Sequence, residues 1–215
     1  DDLILLTCRV CSGHYTVDGT DTQGDLDAIS DCLEITASLT ITGTVLSDLS
    51  ELQYLRSIGQ GLLIETNDLT SLAGLERVSS IGTQLWVRWN TGLSDLAGLD
   101  SVATVGEKVI IEGNPDLVSI GSLNGLASVD ALTINENGAL LAIDGFASLT
   151  EVLSDVTVSR NLFLTDLSGF DGLQTVGGSL LISFSAAGAG NEALETIDGF
   201  ASLESVGGDL QIKSN

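Results

Sequence analysis

Positive charge is scarce in this sequence. The chain has 7 Lys+Arg against 30 Asp+Glu, which gives a formal net charge of -23 at pH 7. Binding to nucleic acids depends on cationic side chains that neutralise phosphates, so this balance argues against a nucleic-acid partner. The same charge opposes attraction to anionic lipid surfaces.

Long hydrophobic runs, proline and histidine are scarce as well. Apolar residues make up 43% of the chain, but they come in short runs, whereas a membrane helix needs about 20 in succession. We therefore expect no direct membrane insertion. The single proline, Pro115, and the regular patterning argue against disorder. With one histidine, His14, and scattered serines, no nucleophile–base pair is evident, and we expect no catalytic residue and no cofactor.

The cysteines predict a disulfide and not a metal site. Cys8 and Cys11 form a C-x2-C, but no second pair follows, and Cys32 with His14 makes a poor zinc set. One structural disulfide plus an odd thiol is the better interpretation. We pair Cys11 with Cys32, because this bond would close a loop that contains a predicted helical turn at residues 25–31.

A repeat of 23 or 24 residues organises the rest of the chain. Its marker is an asparagine that closes an alternating apolar stretch, and the successive asparagines are 23, 24, 23, 24, 30 and 24 residues apart. The long interval is one repeat plus an insertion, residues 185–190. These asparagines are Asn67, Asn90, Asn114, Asn137, Asn161, Asn191 and Asn215.

Each repeat predicts one coil of short strands. In Leu62-x-Ile64 and Leu85-x-Val87 the outer residues would point inward and the middle residue outward. A coil of this size loses about 35 kcal/mol of conformational entropy at about 1.5 kcal/mol per residue, more than its few apolar side chains return. Only stacked coils can fold. The sequence therefore predicts an all-β solenoid of about eight coils.

The asparagines and glycines have structural interpretations. Asparagine tolerates the left-handed conformation at a corner, and stacked amides can bond from coil to coil. We therefore predict that the asparagines form a ladder and bind no ligand. A set of recurring glycines predicts corners that need positive φ or lack room for a Cβ. They are Gly74, Gly98, Gly145, Gly169 and Gly199.

The repeat resembles a known family. The pattern Gly-Leu-x-x-Val-x-x-Ile-Gly-x-x-Leu-x-Ile-x-x-Asn follows a segment from Cys11 to Cys32 and the residues Glu34, Ile35, Ser38, Leu39 and Ile41. Together these are similar to the receptor L domain of insulin and epidermal-growth-factor receptors and of many microbial surface proteins. The resemblance implies a right-handed parallel β-helix with a disulfide-bearing N-terminal cap, outside the cell, that binds other macromolecules.

The predicted domain organisation is simple. Residues 1–36 form the cap and residues 37–215 form the repeats, in a single domain. The last repeat ends on a strand without a polar cap, so we expect either a fragment of a longer protein or an assembly contact at that end.

A candidate site lies on the outer face of the strands. Leu63, Trp86 and Ile110 would form a contiguous apolar patch, with Arg88 between two glutamates and Trp89 nearby. Such patches with aromatic and arginine anchors mark interfaces; the alternative is that the tryptophans flank a neighbouring loop. The 185–190 insertion is a second candidate. The predicted interface consists of Leu63, Glu65, Trp86, Arg88, Trp89, Ile110 and Glu112.

These features predict an extracellular or cell-surface recognition or adhesion module. Its partner would be a protein or another cell-surface macromolecule, including a second copy of the chain. The alternatives are a structural subunit of a surface filament and a carbohydrate-binding or carbohydrate-active β-helix. Calcium binding has little support, because the acids recur singly in each coil and lack D-x-D clusters. They are Asp95, Asp144, Asp166 and Asp198.

Overall fold

The computed structural model describes residues 9–183 and 190–213, without the side chain of Ser183. The chain is a β-solenoid of about seven turns with little helix, which confirms the predicted fold class. The predicted number of about eight coils is close to this value. Cys8, Asn215 and residues 185–189 lie outside the described residues, so the predictions made for them stay predictions, as do the right-handed sense and the domain division.

Most coils contribute one long strand and one short strand. In chain order the elements are β1 (Val10–Cys11), β2 (Tyr15–Asp18), α1 (Thr22–Ile29), β3 (Glu34–Ile35), β4 (Leu39–Thr42), β5 (Ser57–Ile58), β6 (Leu62–Glu65), β7 (Ser80–Ile81), β8 (Leu85–Arg88), β9 (Thr104–Val105), β10 (Lys108–Glu112), β11 (Ser128–Val129), β12 (Ala131–Asn135), β13 (Glu151–Val152), β14 (Val156–Ser159), β15 (Thr175–Val176), β16 (Leu180–Ser183), β17 (Ser205–Val206) and β18 (Leu210–Lys213). Short 3-10 helices occur at Ser50–Leu52, Ser168–Phe170 and Asp198–Phe200.

The strands stack as parallel sheets along the solenoid. The even-numbered strands, β2 to β18, form one sheet of nine strands in the described residues, in which each strand pairs with its counterpart one coil away. The short strands form a sheet from β1 to β9 and a second from β11 to β17. Near this interruption, positive φ occurs at a different position of the repeat. In the earlier coils it occurs at a glycine, Gly74 or Gly98, and in the later coils at the next position of the repeat, Leu123 or Phe146.

The core is the inside of the coil. Period-two alternation places the outer residues of each strand inward, and Leu62, Ile64, Leu85 and Val87 are fully buried. A stack of phenylalanines in this core was not predicted from the sequence. The rings of Phe146, Phe170 and Phe200 stack with centroids 5.9 and 5.4 Å apart.

The N-terminal end carries the predicted disulfide. Cys11 and Cys32 are bonded, with their Cα atoms 5.8 Å apart, and both are buried. The helix enclosed by this loop, α1, begins and ends somewhat earlier than the predicted residues 25–31, and it buries Leu26 and Ile29. No helix in the described part of the chain is long and apolar enough to cross a membrane.

Candidate functional site

The asparagines form a continuous buried ladder. From Asn90 to Asn191, the Oδ1 atom of each asparagine accepts hydrogen bonds from the asparagine one coil earlier. Asn114 shows the pattern: its backbone N–H and its Nδ2 both donate to Asn137 Oδ1 at 3.1 Å, and its Nδ2 also donates to the Val87 carbonyl at 3.0 Å. Six ladder positions, Asn67, Asn90, Asn114, Asn137, Asn161 and Asn191, are buried. Their amides serve the stack and offer no ligand site.

The sequence predicted that the asparagine itself adopts the left-handed corner conformation. The residue before the asparagine adopts it instead. The residue that turns the chain points outward, which leaves the asparagine side chain free to point into the ladder. The corner residues with positive φ are Gly43, Thr66, Trp89, Gly113, Glu136 and Arg160. The ladder begins one position earlier than predicted, at Thr44, whose N–H and hydroxyl donate to Asn67 Oδ1. Its signal was its place 23 residues before Asn67.

The recurring glycines fall into two groups. Gly74 and Gly98 have φ of 110° and 111°, which L residues rarely adopt. A Cβ on any of the five glycines, Gly145, Gly169 and Gly199 included, would collide with a backbone carbonyl oxygen of an earlier coil. Both predicted reasons for glycine therefore operate, and at Gly74 and Gly98 they operate together.

The predicted apolar column lies on three adjacent strands. Leu63 on β6 pairs in register with Trp86 on β8, which pairs with Ile110 on β10. Their side chains are half-buried because they cover one another, so the surface is less open than the sequence predicts. Trp89, at the corner after β8, is 46% exposed. It is the member of the predicted set most open to a partner.

Arg88 joins the two tryptophans into one cluster. Its guanidinium carbon lies 4.1 Å from the ring centroid of Trp86 and 4.5 Å from that of Trp89. Its Nη2 donates to Glu65 Oε2 at 2.6 Å, and the Arg88 and Glu65 side chains are only 18% and 21% exposed. A shielded arginine that stacks on aromatic faces is held in a single geometry. We call Trp86, Arg88 and Trp89 the tryptophan–arginine cluster.

Arg88 pairs with only one of the two glutamates that flank it. Arg88 reaches back to Glu65 on β6, whereas Glu112 Oε1 on β10 accepts a hydrogen bond from Asn135 Nδ2 at 3.0 Å. Lys108 was not predicted to belong to the site, but its Nζ lies 5.6 Å from the ring centroid of Trp86. Its signal was the alternation of β10, which places residue 108 on the same face as residues 110 and 112.

Trp89 is seated on the backbone of the next coil. A Cβ added at Gly113 would fall on Cδ1 and Nε1 of the Trp89 indole, so the absence of a side chain there makes room for the ring. The backbone N–H of Trp89 donates to the Glu112 carbonyl at 3.0 Å. The ring is thus fixed between Arg88 and Gly113.

Two polar atoms of the cluster lack hydrogen bonds. Trp86 Nε1 and Arg88 Nε are buried and have no partner among the described residues. Buried polar groups without partners are uncommon and destabilise a fold by about 1–3 kcal/mol each. The tryptophan–arginine cluster is therefore not explained by stability alone.

Two of the four singly recurring acids cap turns, whereas Asp144 accepts from the hydroxyl of Ser119 in the preceding coil. Asp95 Oδ1 accepts from the N–H of Ala97, and Asp166 Oδ1 accepts from that of Ser168. Asp48 does the same in an earlier coil, where the hydroxyl and N–H of Ser50 hold its pKa below the ordinary value. No group of three or more His, Cys, Asp or Glu in residues 9–183 and 190–213 could hold a metal ion.

Comparison with known proteins adds no relative. The chain matches no protein-family model, no curated protein and no solved structure.

Proposed function

We propose that this solenoid is a non-catalytic recognition or adhesion module that acts outside the cell, and that the tryptophan–arginine cluster is its contact surface. The Cys11–Cys32 disulfide supports this location, since cytosolic thiols are kept reduced. The resemblance to the receptor L domain points in the same direction.

The observation that carries the proposal is the stacking of Arg88 between Trp86 and Trp89. Tryptophan and arginine are the residues most enriched where binding energy is concentrated, and rigid side chains lose little entropy when a partner binds. The equivalent corner positions in other coils hold glycine, threonine, glutamate or arginine, so the fold itself does not require an indole at Trp89.

The test removes the indole and keeps the backbone. Glycine occupies the matching corners at Gly43 and Gly113, so Trp89→Gly should fold without strain. The purified chain and the variant are applied to parallel arrays of surface-protein ectodomains and of glycans. We expect saturable binding to a protein that Trp89→Gly weakens at least about tenfold, or by about 1.4 kcal/mol. Phe163→Ala is the matched control, because Phe163 is 58% exposed on another corner.

The outcomes separate the alternatives. Binding to glycans alone, lost in Trp89→Gly, would replace the proposal with a carbohydrate-binding function. Light scattering of the same samples tests whether the partner is a second copy of the chain. An oligomer that dissociates in the Trp86→Ala variant would identify the chain as a subunit of an assembly. Binding that Trp89→Gly leaves intact, or no binding on either array, would overturn the proposal.

A further inference from the structure

A groove on another face of the solenoid holds two arginines. Arg56, just before β5, and Arg77, just before β7, line a shallow groove of about 430 Å³ together with Ser79, Ser101 and Glu76. Both arginines are exposed. This groove lies beside the sheet of short strands and shares no residue with the tryptophan–arginine cluster.

Neither arginine has a carboxylate partner among the described residues, although acids outnumber cations by 30 to 7 in the chain. Three other arginines in the described ranges each pair with an acid. The pairs are Arg9 with Asp31, Arg88 with Glu65, and Arg160 with Glu136. The two groove arginines are thus exceptions in a chain where carboxylates are abundant.

The register of the coils brings no acid into line with Arg56. The backbone of Arg56 bonds to Leu33 in the preceding coil, and Ser79 in the next coil bonds back to Arg56. Beside Arg77, the hydroxyl of Ser101 donates to the Glu76 carbonyl at 2.5 Å. Leu33 and Ser79 flank Arg56 in the neighbouring coils, and Ser101 lies one coil after Arg77, so none of these three positions supplies a carboxylate.

Glu76, the acid in the groove, is already used. Its two carboxylate oxygens accept from the N–H of Gly74 at 3.0 and 2.9 Å, which ties the carboxylate to its own corner. Asp100 has the same role one coil on, where it accepts from the N–H of Gly98 at 3.2 Å. The guanidinium groups of Arg56 and Arg77 keep their donors available to a ligand.

We infer that this groove binds a tetrahedral oxyanion, a sulfate or phosphate group. Each guanidinium presents a planar fork of donors that matches such an oxygen pair. The two arginines lie on neighbouring coils and line one groove. Ser79 and Ser101 line it as well, but their hydroxyls already donate to the carbonyls of Arg56 and Glu76, so the arginines supply the donors. A tetrahedral anion offers acceptors in several directions, whereas a carboxylate offers two in one plane. The site is independent of the proposed recognition surface.

The test is a titration of the full chain with inorganic sulfate, inorganic phosphate and acetate at constant ionic strength. Chemical shifts of the backbone amides of Ser79 and Ser101 report occupancy. We expect saturable shifts with sulfate or phosphate, and binding of acetate at least about fivefold weaker. Comparison of the sulfate and phosphate curves shows which group the site prefers.

Variants identify the side chains responsible. Arg56→Gln and Arg77→Gln should each weaken oxyanion binding at least about fivefold, and both positions are exposed, so the fold should tolerate them. Arg160→Gln is the control, since that arginine pairs with Glu136 far along the chain. Linear, non-saturating shifts, equal binding of acetate, or variants that bind like the parent chain would each overturn the inference.

Discussion

The amide of Asn114 is buried and has four hydrogen-bond partners. Its Nδ2 donates to the Val87 and Glu112 carbonyls and to Asn137 Oδ1, and its own Oδ1 accepts from Asn90. Substitution of one ladder asparagine therefore leaves buried donors and acceptors unpaired in the coils on both sides. The energetic consequence should exceed that of losing an ordinary surface hydrogen bond.

For Asn114→Ala we expect the free energy of unfolding to fall by about 3 kcal/mol or more, because each unpaired buried group contributes about 1–3 kcal/mol. Urea denaturation followed by circular dichroism measures the change. Asn124→Ala is the control: Asn124 is exposed but also makes two backbone hydrogen bonds, and its loss should stay below about 1 kcal/mol. Equal losses in both variants would contradict a special role for the ladder.

The sequence predicted the ladder but not which residue turns the corner. Spacing and amide chemistry identify Asn114 as a stacked, buried group. They do not separate it from its neighbour Gly113, because either asparagine or glycine can adopt positive φ. Which of the two residues turns the corner depends on the inward direction of the amide, and that direction depends on contacts with the coil on each side. The half-burial of Trp86 was not predicted either, because it also depends on neighbouring coils, where Leu63 and Ile110 are paired in register with it.

Corners also connect neighbouring coils, as Gly113 and Trp89 show. The glycine has φ of 66° and lies directly beneath the indole of the preceding coil. Gly43 has nearly the same conformation, φ of 64°, but a Cβ there would contact nothing. The pair separates the effect of conformation from that of contact.

We expect Gly113→Ala to displace the Trp89 ring and to destabilise the fold more than Gly43→Ala. The control should lose only the left-handed penalty, about 1–2 kcal/mol. Tryptophan fluorescence should shift for Gly113→Ala and stay unchanged for Gly43→Ala, because the indoles are far from Gly43 in the stack. Identical spectra for the two variants would show that Gly113 does not seat the ring.

Long strands were easier to predict than short ones. Four residues with a period of two, such as β6 and β8, indicate a half-buried strand without help from the rest of the chain. The two-residue strands, such as β9 and β11, depend on pairing with the coil beside them. The interruption between those two strands has no counterpart in the repeat spacing, so the sequence did not indicate it.

The whole molecule carries a charge of -23. The carboxylates lie around a narrow solenoid, where they repel one another across neighbouring coils, and ion pairs such as Arg88 with Glu65 neutralise few of them. Folding brings these charges closer together than they are in the unfolded chain. Net repulsion should therefore oppose folding at low ionic strength.

Added salt should therefore raise the melting temperature at pH 7. Increasing NaCl from about 0.01 M to 0.15 M shortens the screening length from about 30 Å to about 8 Å, which weakens repulsion between coils. Differential scanning calorimetry measures the midpoint, with an equal osmolality of sucrose as the control for non-ionic effects. A midpoint that falls with NaCl would show that the ion pairs outweigh the repulsion.

The nine-stranded sheet also fixes where surface groups can be. Neighbouring strands in a sheet are about 4.8 Å apart, so outward side chains occupy a grid with one row per coil. Residues that face solvent can be exchanged between rows without changing the scaffold, because the asparagine ladder and the inward positions hold each coil in place. Substitution of outward residues alone can therefore place a contact surface at any coil along the solenoid axis.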